Sequence, residues 1–146
     1  MHHDLKLVRM RSLAWLCLAA GLLVTPSWSA EAPEDTAQVA AESWLNLVDQ
    51  GSYEASWDRA AKLFKGTVTK EQWKQAAAGA RTPLGKLVSR KVKSREFTQK
   101  LPGAPDGKYV VIQFATVFEN KDAAVETVTP MLDPDGAWRV SGYFVK

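Results

Sequence analysis

The chain has 146 residues, two histidines, one cysteine and a formal net charge of +3, which suits one domain and not several. His2, His3 and Cys17 are the only residues of their types, so nothing beyond residue 17 can support Ser/His/Asp or Cys/His catalysis, the usual zinc sites, haem ligation or disulfides. Charged residues of both signs are nearly balanced, which argues against a general nucleic-acid-binding domain.

Residues 1–29 read as a cleavable secretory signal. Lys6, Arg9 and Arg11 form its charged region, and residues 13–24 form an uncharged apolar run. That run is too short for a membrane anchor, because a spanning helix needs roughly 20 apolar residues. Pro26 ends it, and Ser27 and Ser29 place small residues at −3 and −1, so cleavage is expected between Ser29 and Ala30. Cleavage one residue later would put Trp28 at −3. Cys17 follows Trp15-Leu16 rather than small residues and does not read as a lipoprotein acceptor. A start at Met10 instead of Met1 would leave Arg11 as the charged region and the export reading unchanged. Removal leaves 117 residues with 16 basic and 15 acidic side chains, a net charge of +1. A domain of that length buries roughly two thirds of its unfolded surface. The expected location is periplasmic or secreted, with no stable membrane anchor after cleavage.

Residues 30–34 read as a short linker and 35–146 as a single domain. Asp35 with Gln38 makes a capping-box pattern for a first helix that Gly51 ends, with Ala37, Ala40, Ala41, Trp44, Leu47 and Val48 on one face. Ser52 can cap a second helix carrying Tyr53, Trp57, Ala60, Ala61 and Phe64 at helical spacing until Gly66. Thr69 with Gln72 caps a third, with Val68 placed as a hydrophobic staple on Trp73, and Pro83 stops it.

From Leu84 the hydrophobic period changes to two. Turn signals at 102–107, 120–122 and 133–136 predict four antiparallel strands in meander order. In the first strand Val88 and Val92 share a parity that Phe97 and Leu101 do not, which predicts a bulge between them. The second strand is apolar on both faces and reads as central. The fourth places Trp138, Val140 and Phe144 on one face, and Arg139, Ser141, Tyr143 and Val145 on the other. The fold class is therefore α+β, with N-terminal helices packed on a curved four-stranded antiparallel meander sheet.

Several stretches are distinctive: Gly51-Ser52-Tyr53 with Ser56-Trp57, Phe64, Trp73, Arg81-Thr82-Pro83-Leu84-Gly85 and Ser89-Arg90. Further on come Leu101-Pro102-Gly103-Ala104-Pro105-Asp106-Gly107, Tyr109-Val110-Val111, Asn120-Lys121 and Glu126-Thr127-Val128-Thr129, then the run 135–144. On these residues the chain resembles, over about 37–146, the bacterial exported proteins grouped as domain-of-unknown-function family 4019. The resemblance implies an exported domain with a cystatin-like or nuclear-transport-factor-like roll, and it supplies no catalytic residue.

Four candidate constellations follow. Tyr53, Trp57, Phe114 and Tyr143 could border a pocket for a small apolar ligand between helices and sheet, although such rings more often simply fill a core. Lys91, Lys93 and Arg95, on one parity of the first strand, could meet an anionic partner such as lipid head groups, an acidic glycan or an acidic protein face, or serve only to protect an edge. Glu126 and Arg139 could pair across neighbouring strands, a structural role, since a paired glutamate is a poor general acid. A lyase or isomerase could work without histidine through a buried carboxylate and a tyrosine; Asp58 near Tyr53 is one such arrangement, but it is rotated away from the apolar stripe. The expectation is a non-enzymatic exported domain that binds a small apolar ligand or a protein partner, with no cofactor and no metal. An inhibitor or immunity-type module and a small histidine-independent lyase or isomerase are the alternatives. Intact-mass measurement of the protein recovered from the cell envelope should give a chain that begins at Ala30; a soluble cytosolic product still starting at Met1 or Met10 would overturn the export reading.

Overall fold

The computed structural model describes residues 29–146; the expected leader, apart from Ser29, lies outside the described residues. The first helix, α1 (Pro33–Asp49), starts two residues before Asp35. Pro33 sits in the first turn, where its missing N–H removes no helical bond and its fixed φ suits the helix. Glu34 and Asp35 then complement the positive end of the helix dipole. At the other end Ser52 N–H donates to the Leu47 carbonyl (2.9 Å) and Gly51 N–H to that of Val48 (3.0 Å), a Schellman closure that requires the positive φ of Gly51. The buried face is Ala37, Ala41, Trp44, Leu45 and Val48, so Leu45 takes the deep position expected for Leu47.

The expected second helix is two, α2 (Tyr53–Asp58) and α3 (Lys62–Thr67). The chain leaves helical geometry at Ala61 because its N–H reaches across to the Val140 carbonyl of the sheet at 2.8 Å, with Ala60 and Ala61 fully buried at the junction. The last helix, α4 (Lys70–Arg81), carries the expected capping box: Gln72 N–H donates to Thr69 Oγ1 (3.1 Å), and Thr69 N–H donates to Gln72 Oε1 (2.9 Å). A single 3-10 turn (Thr82–Leu84) follows, and Gly85, at φ 74°, swings the chain into the sheet. A side chain at Gly85 would also strike Glu119 and Asn120, whose backbones bond to Lys86 and Leu84.

Strands β1 (Leu87–Thr98), β2 (Tyr109–Phe118), β3 (Lys121–Leu132) and β4 (Trp138–Val145) form one antiparallel sheet in the order β1-β2-β3-β4, the expected meander. Helix packing covers one face: Val110, Ile112, Phe114, Val128 and Val140 join Trp44, Leu45, Phe64 and Trp73 in one core.

Register irregularities decide which residues reach that core. The expected bulge in β1 falls between Val92 and Ser94, so Val92 opposes Phe114 and Arg95 opposes Ile112, both on the helix side. Lys91 opposes the exposed Ala115 and faces outward, so Lys91, Lys93 and Arg95 do not share a face: the extra residue at 93 reverses the parity of Arg95. A second slip between Leu87 and Ser89 leaves Val88 exposed rather than paired in parity with Val92. In β4, Thr129 opposes Gly142 while Pro130 opposes Val140, making Ser141 the extra residue; its hydroxyl donates to the Thr129 carbonyl at 2.7 Å. Val140 and Tyr143 therefore both contribute to the core, and Phe144, expected to share the face of Val140, is instead 60% exposed.

Candidate functional site

The aromatic residues of the helices are held by their polar edges. Ser56 is fully buried and acts as a hub: its carbonyl accepts from Trp44 Nε1 (2.8 Å), its Oγ accepts from Trp73 Nε1 (2.9 Å), and its hydroxyl donates to the Tyr53 carbonyl (2.6 Å). Trp57 Nε1 donates to the Val68 carbonyl at 2.9 Å, and the ammonium groups of Lys65 and Lys70 lie 5.8 and 5.3 Å from the centre of its ring. Each indole N–H thus has the partner that burial requires.

The four candidate pocket residues have different surroundings. Tyr143 packs against Trp44 and Trp73, with ring centres 5.4 and 6.1 Å apart, inside the filled core. Phe114 is buried there too, at the base of a cleft of about 260 Å³ shared with Glu42, Asn46, Arg90 and Val92. Tyr53 borders a separate cleft of about 310 Å³ beside Asp49, Arg81, Gly85 and Glu119. Asp58 lies in an exposed ion pair with Lys70 at 2.7 Å.

Between the layers lies a cluster of charges. Asp49 ends α1, Arg81 ends α4, Arg90 comes from β1, Thr116 from β2, Glu126 from β3 and Tyr143 from β4. Glu126 is fully buried. Its Oε1 accepts from Tyr143 Oη (2.7 Å) and Arg90 Nη2 (3.2 Å), and its Oε2 from Arg90 Nε (2.7 Å) and Thr116 Oγ1 (2.8 Å). Arg90 Nη1 and Nη2 also grip Asp49 (2.8 and 2.9 Å), and Arg81 Nη2 donates to Asp49 Oδ1 at 2.7 Å. The Arg81 guanidinium stacks 4.7 Å from the centre of Phe118, with Nη1 3.8 Å from Glu126 Oε1, while its Nε and Nη1 make no hydrogen bond among the described residues.

The electrostatics follow from this geometry. Burial works against the charge on Asp49, but hydrogen bonds and attraction from Arg90 and Arg81 outweigh it and hold the carboxyl below its ordinary value. α1 has no basic residue in its last turn, so these two guanidinium groups also compensate an acid at the negative end of the dipole. Burial, then the neighbouring Glu126 charge, push the Tyr143 phenol up. Two carboxylates face two guanidiniums, and the roughly four acceptor positions of Glu126 are all occupied. A carboxylate so engaged has no lone pair left for a substrate proton, and the cluster acts as a clamp joining helices to every strand.

The pairing expected between Glu126 and Arg139 does not form. The meander register sets Glu126 opposite Val145 and Arg139 opposite Met131, far along the strand. Arg139 instead grips Asp135 with both terminal nitrogens (2.8 Å each) and Asp133 at 3.0 Å, which holds the Asp135 carboxyl down to about 2.

On the helix-free face, Lys91 and Lys93 border a groove of about 520 Å³ floored by Ala115, Val117, Ala123 and Val125, with Asp122 at its rim. Among the described residues neither lysine is in an ion pair, whereas Arg95 is bound to Asp35 (2.6 Å) and Gln38 (3.1 Å) on the helix side. The connection after β1 packs against this sheet at Tyr109, whose hydroxyl donates to the Pro105 carbonyl at 2.6 Å and whose ring touches Gly107. Among the described residues no group of three or more His, Cys, Asp or Glu is placed to hold a metal.

Fold and site together define an α+β domain with an apolar interlayer core and a buried ionic clamp. A family model described as "Protein of unknown function (DUF4019)" matches residues 40–143, and the chain belongs to that family. No curated protein and no solved structure matches it. The residues on which the sequence resemblance rests have structural work: Gly51 closes α1, Ser56 and Trp73 form the indole hub, Gly85 and Asn120 join turn to hairpin, and Arg81, Arg90, Glu126 and Tyr143 build the clamp. Asp49 is the member that sequence patterning missed; its one signal is an acid, without a basic neighbour, at the end of a helix. Glu126→Ala would leave Arg90 short of a buried partner and is expected to cost about 3–5 kcal/mol in chemical denaturation, with Glu126→Gln costing less. Because the Asp49 value is depressed, its contribution is present above its ordinary 3.8 and lost as pH falls through the lowered value, so Asp49→Asn should flatten the acid limb of stability against pH.

Proposed function

We propose that this domain works outside the cytoplasm as a non-enzymatic binding module, that its contact surface is the helix-free face of the sheet, and that its partner is a protein presenting an acidic segment. The observation that carries the reading is the pair Lys91 and Lys93, which flank an apolar groove and have no ion-pair partner among the described residues. Every other strongly placed arginine of the sheet is already neutralised: Arg90 by Asp49 and Glu126, Arg95 by Asp35, Arg139 by Asp133 and Asp135. Unpaired cations around an apolar floor favour an acidic segment that brings apolar side chains with it, because charge steers the encounter while burial holds the complex.

The small apolar ligand draws less support, since Tyr143 and Phe114 belong to packed core and Tyr53 to a separate polar cleft. A lyase or isomerase would need a carboxylate free to accept a proton, and the acceptor positions of Glu126 are filled. An inhibitor or immunity-type module is the form of the proposal that also uses the 102–107 connection, which packs at Tyr109 at one end of the sheet.

Capture from a periplasmic extract, followed by reconstitution with the purified partner, should show binding that Lys91→Glu/Lys93→Glu weakens by roughly tenfold or more and Tyr53→Phe leaves intact. Binding that survives the double reversal but is lost on changing Tyr53 or Trp57 would move the site to the helices and sink the proposal.

A further inference from the structure

The two edges of the sheet differ in a way that the binding face does not explain. β1 carries Lys91 and Lys93 and two register slips, devices that discourage another strand from adding to an edge. β4 has a single slip, at Ser141, and none of that charge between Arg139 and Lys146, where Val140, Ser141, Gly142, Tyr143, Phe144 and Val145 follow one another.

Its backbone bonds can be assigned by alternation. Val125 and Lys146 exchange both N–H···O bonds (2.9 and 3.1 Å), and with Thr127 opposite Phe144 the residues bonded toward β3 are the even-numbered ones of this stretch. The N–H and C=O groups of Tyr143 and Val145 therefore point away from the sheet. Among the described residues no helix or loop backbone group bonds to them. Further along the edge, the Val140 carbonyl is already taken by Ala61. The open row thus begins after Val140, and backbone of this kind is completed by an extended strand.

We infer that the free edge of β4 pairs with the same edge of a second copy of this chain, antiparallel and centred on Tyr143. The stretch is self-complementary in that register. Tyr143 meets its own counterpart through backbone bonds while its hydroxyl stays on Glu126, and the Val145 N–H meets the carbonyl of Ser141, whose own N–H the trans peptide after the outward Val140 carbonyl turns toward β3. Phe144, exposed on the outer face, falls opposite Gly142 of the copy, where no side chain stands. An aromatic ring laid over a cross-strand glycine fills that gap, and the two-fold axis makes the contact twice. No like charges oppose each other within this span. The edge is distinct from the Lys91 and Lys93 groove, so the two proposals stand or fall separately.

Sedimentation velocity over a concentration series, with hydrogen exchange on the same samples, tests the pairing. The wild-type protein should form a dimer in which the Tyr143 and Val145 amides become protected as concentration rises. Val145→Pro removes an N–H that β3 does not use, as an edge strand tolerates, and Phe144→Ser removes the exposed ring; each should raise the dimer dissociation constant about tenfold or more with an unchanged circular dichroism spectrum. Lys91→Glu/Lys93→Glu should leave that constant unchanged. A wild-type protein that stays monomeric at its highest soluble concentration would overturn the inference. So would a dimer that both edge variants leave intact, or protection appearing at β1 instead.

Discussion

The Glu126 carboxylate is the point on which the layers of this domain depend. It stands in the middle of β3, fully buried, and accepts hydrogen bonds from β1, β2 and β4, while Arg90 passes the connection on to the end of α1 and Asp49 passes it to α4. A buried ion cluster of this kind adds little net stability over an apolar core, because desolvating the charges offsets most of their attraction. Its larger effect is on choice of register. Sliding β3 by one residue would carry Glu126 to the outer face and leave Arg81 and Arg90 inside with Asp49 as their one carboxylate, so misregistered pairings are penalised more than a purely apolar strand would penalise them.

The bulges make the cluster possible. Ser141 is extra in β4, which lets Val140 and Tyr143 both reach the core and brings the phenol to Glu126. The same residue turns Phe144 out to solvent. The bulge beyond Val92 sends Arg95 to Asp35 on α1 and leaves Lys91 and Lys93 bordering the opposite face. Local twist in two strands thus separates a neutralised, helix-covered interior from an outer surface where, among the described residues, Lys91 and Lys93 have no ion-pair partner.

That division bears on function. Groups capable of acid and base chemistry are present in the interior, but the acceptor positions of Glu126 are filled, and the aromatic rings that could have walled a chamber are tied through Ser56 and Val68 into the packing. The face that the described helices leave open holds the groove, the two lysines that have no ion-pair partner among the described residues, and the exposed phenylalanine.

The order of helices and strands, the meander, the capping box at Thr69 and Gln72 and the β1 bulge were all legible in the sequence, because each is set by neighbours within a few residues. Absence of histidine and cysteine beyond residue 17 was equally a matter of composition. Tertiary structure decided the rest. The break at Ala61 depends on a carbonyl 79 residues away in β4, the side on which Arg95 and Phe144 emerge depends on where the bulges fall, and the partner of Glu126 depends on meander register. The sequence offered Arg139 on a neighbouring strand for Glu126; the register selected Arg90 instead, and the one local sign of Asp49, an acid at a helix end, does not say which guanidiniums it joins.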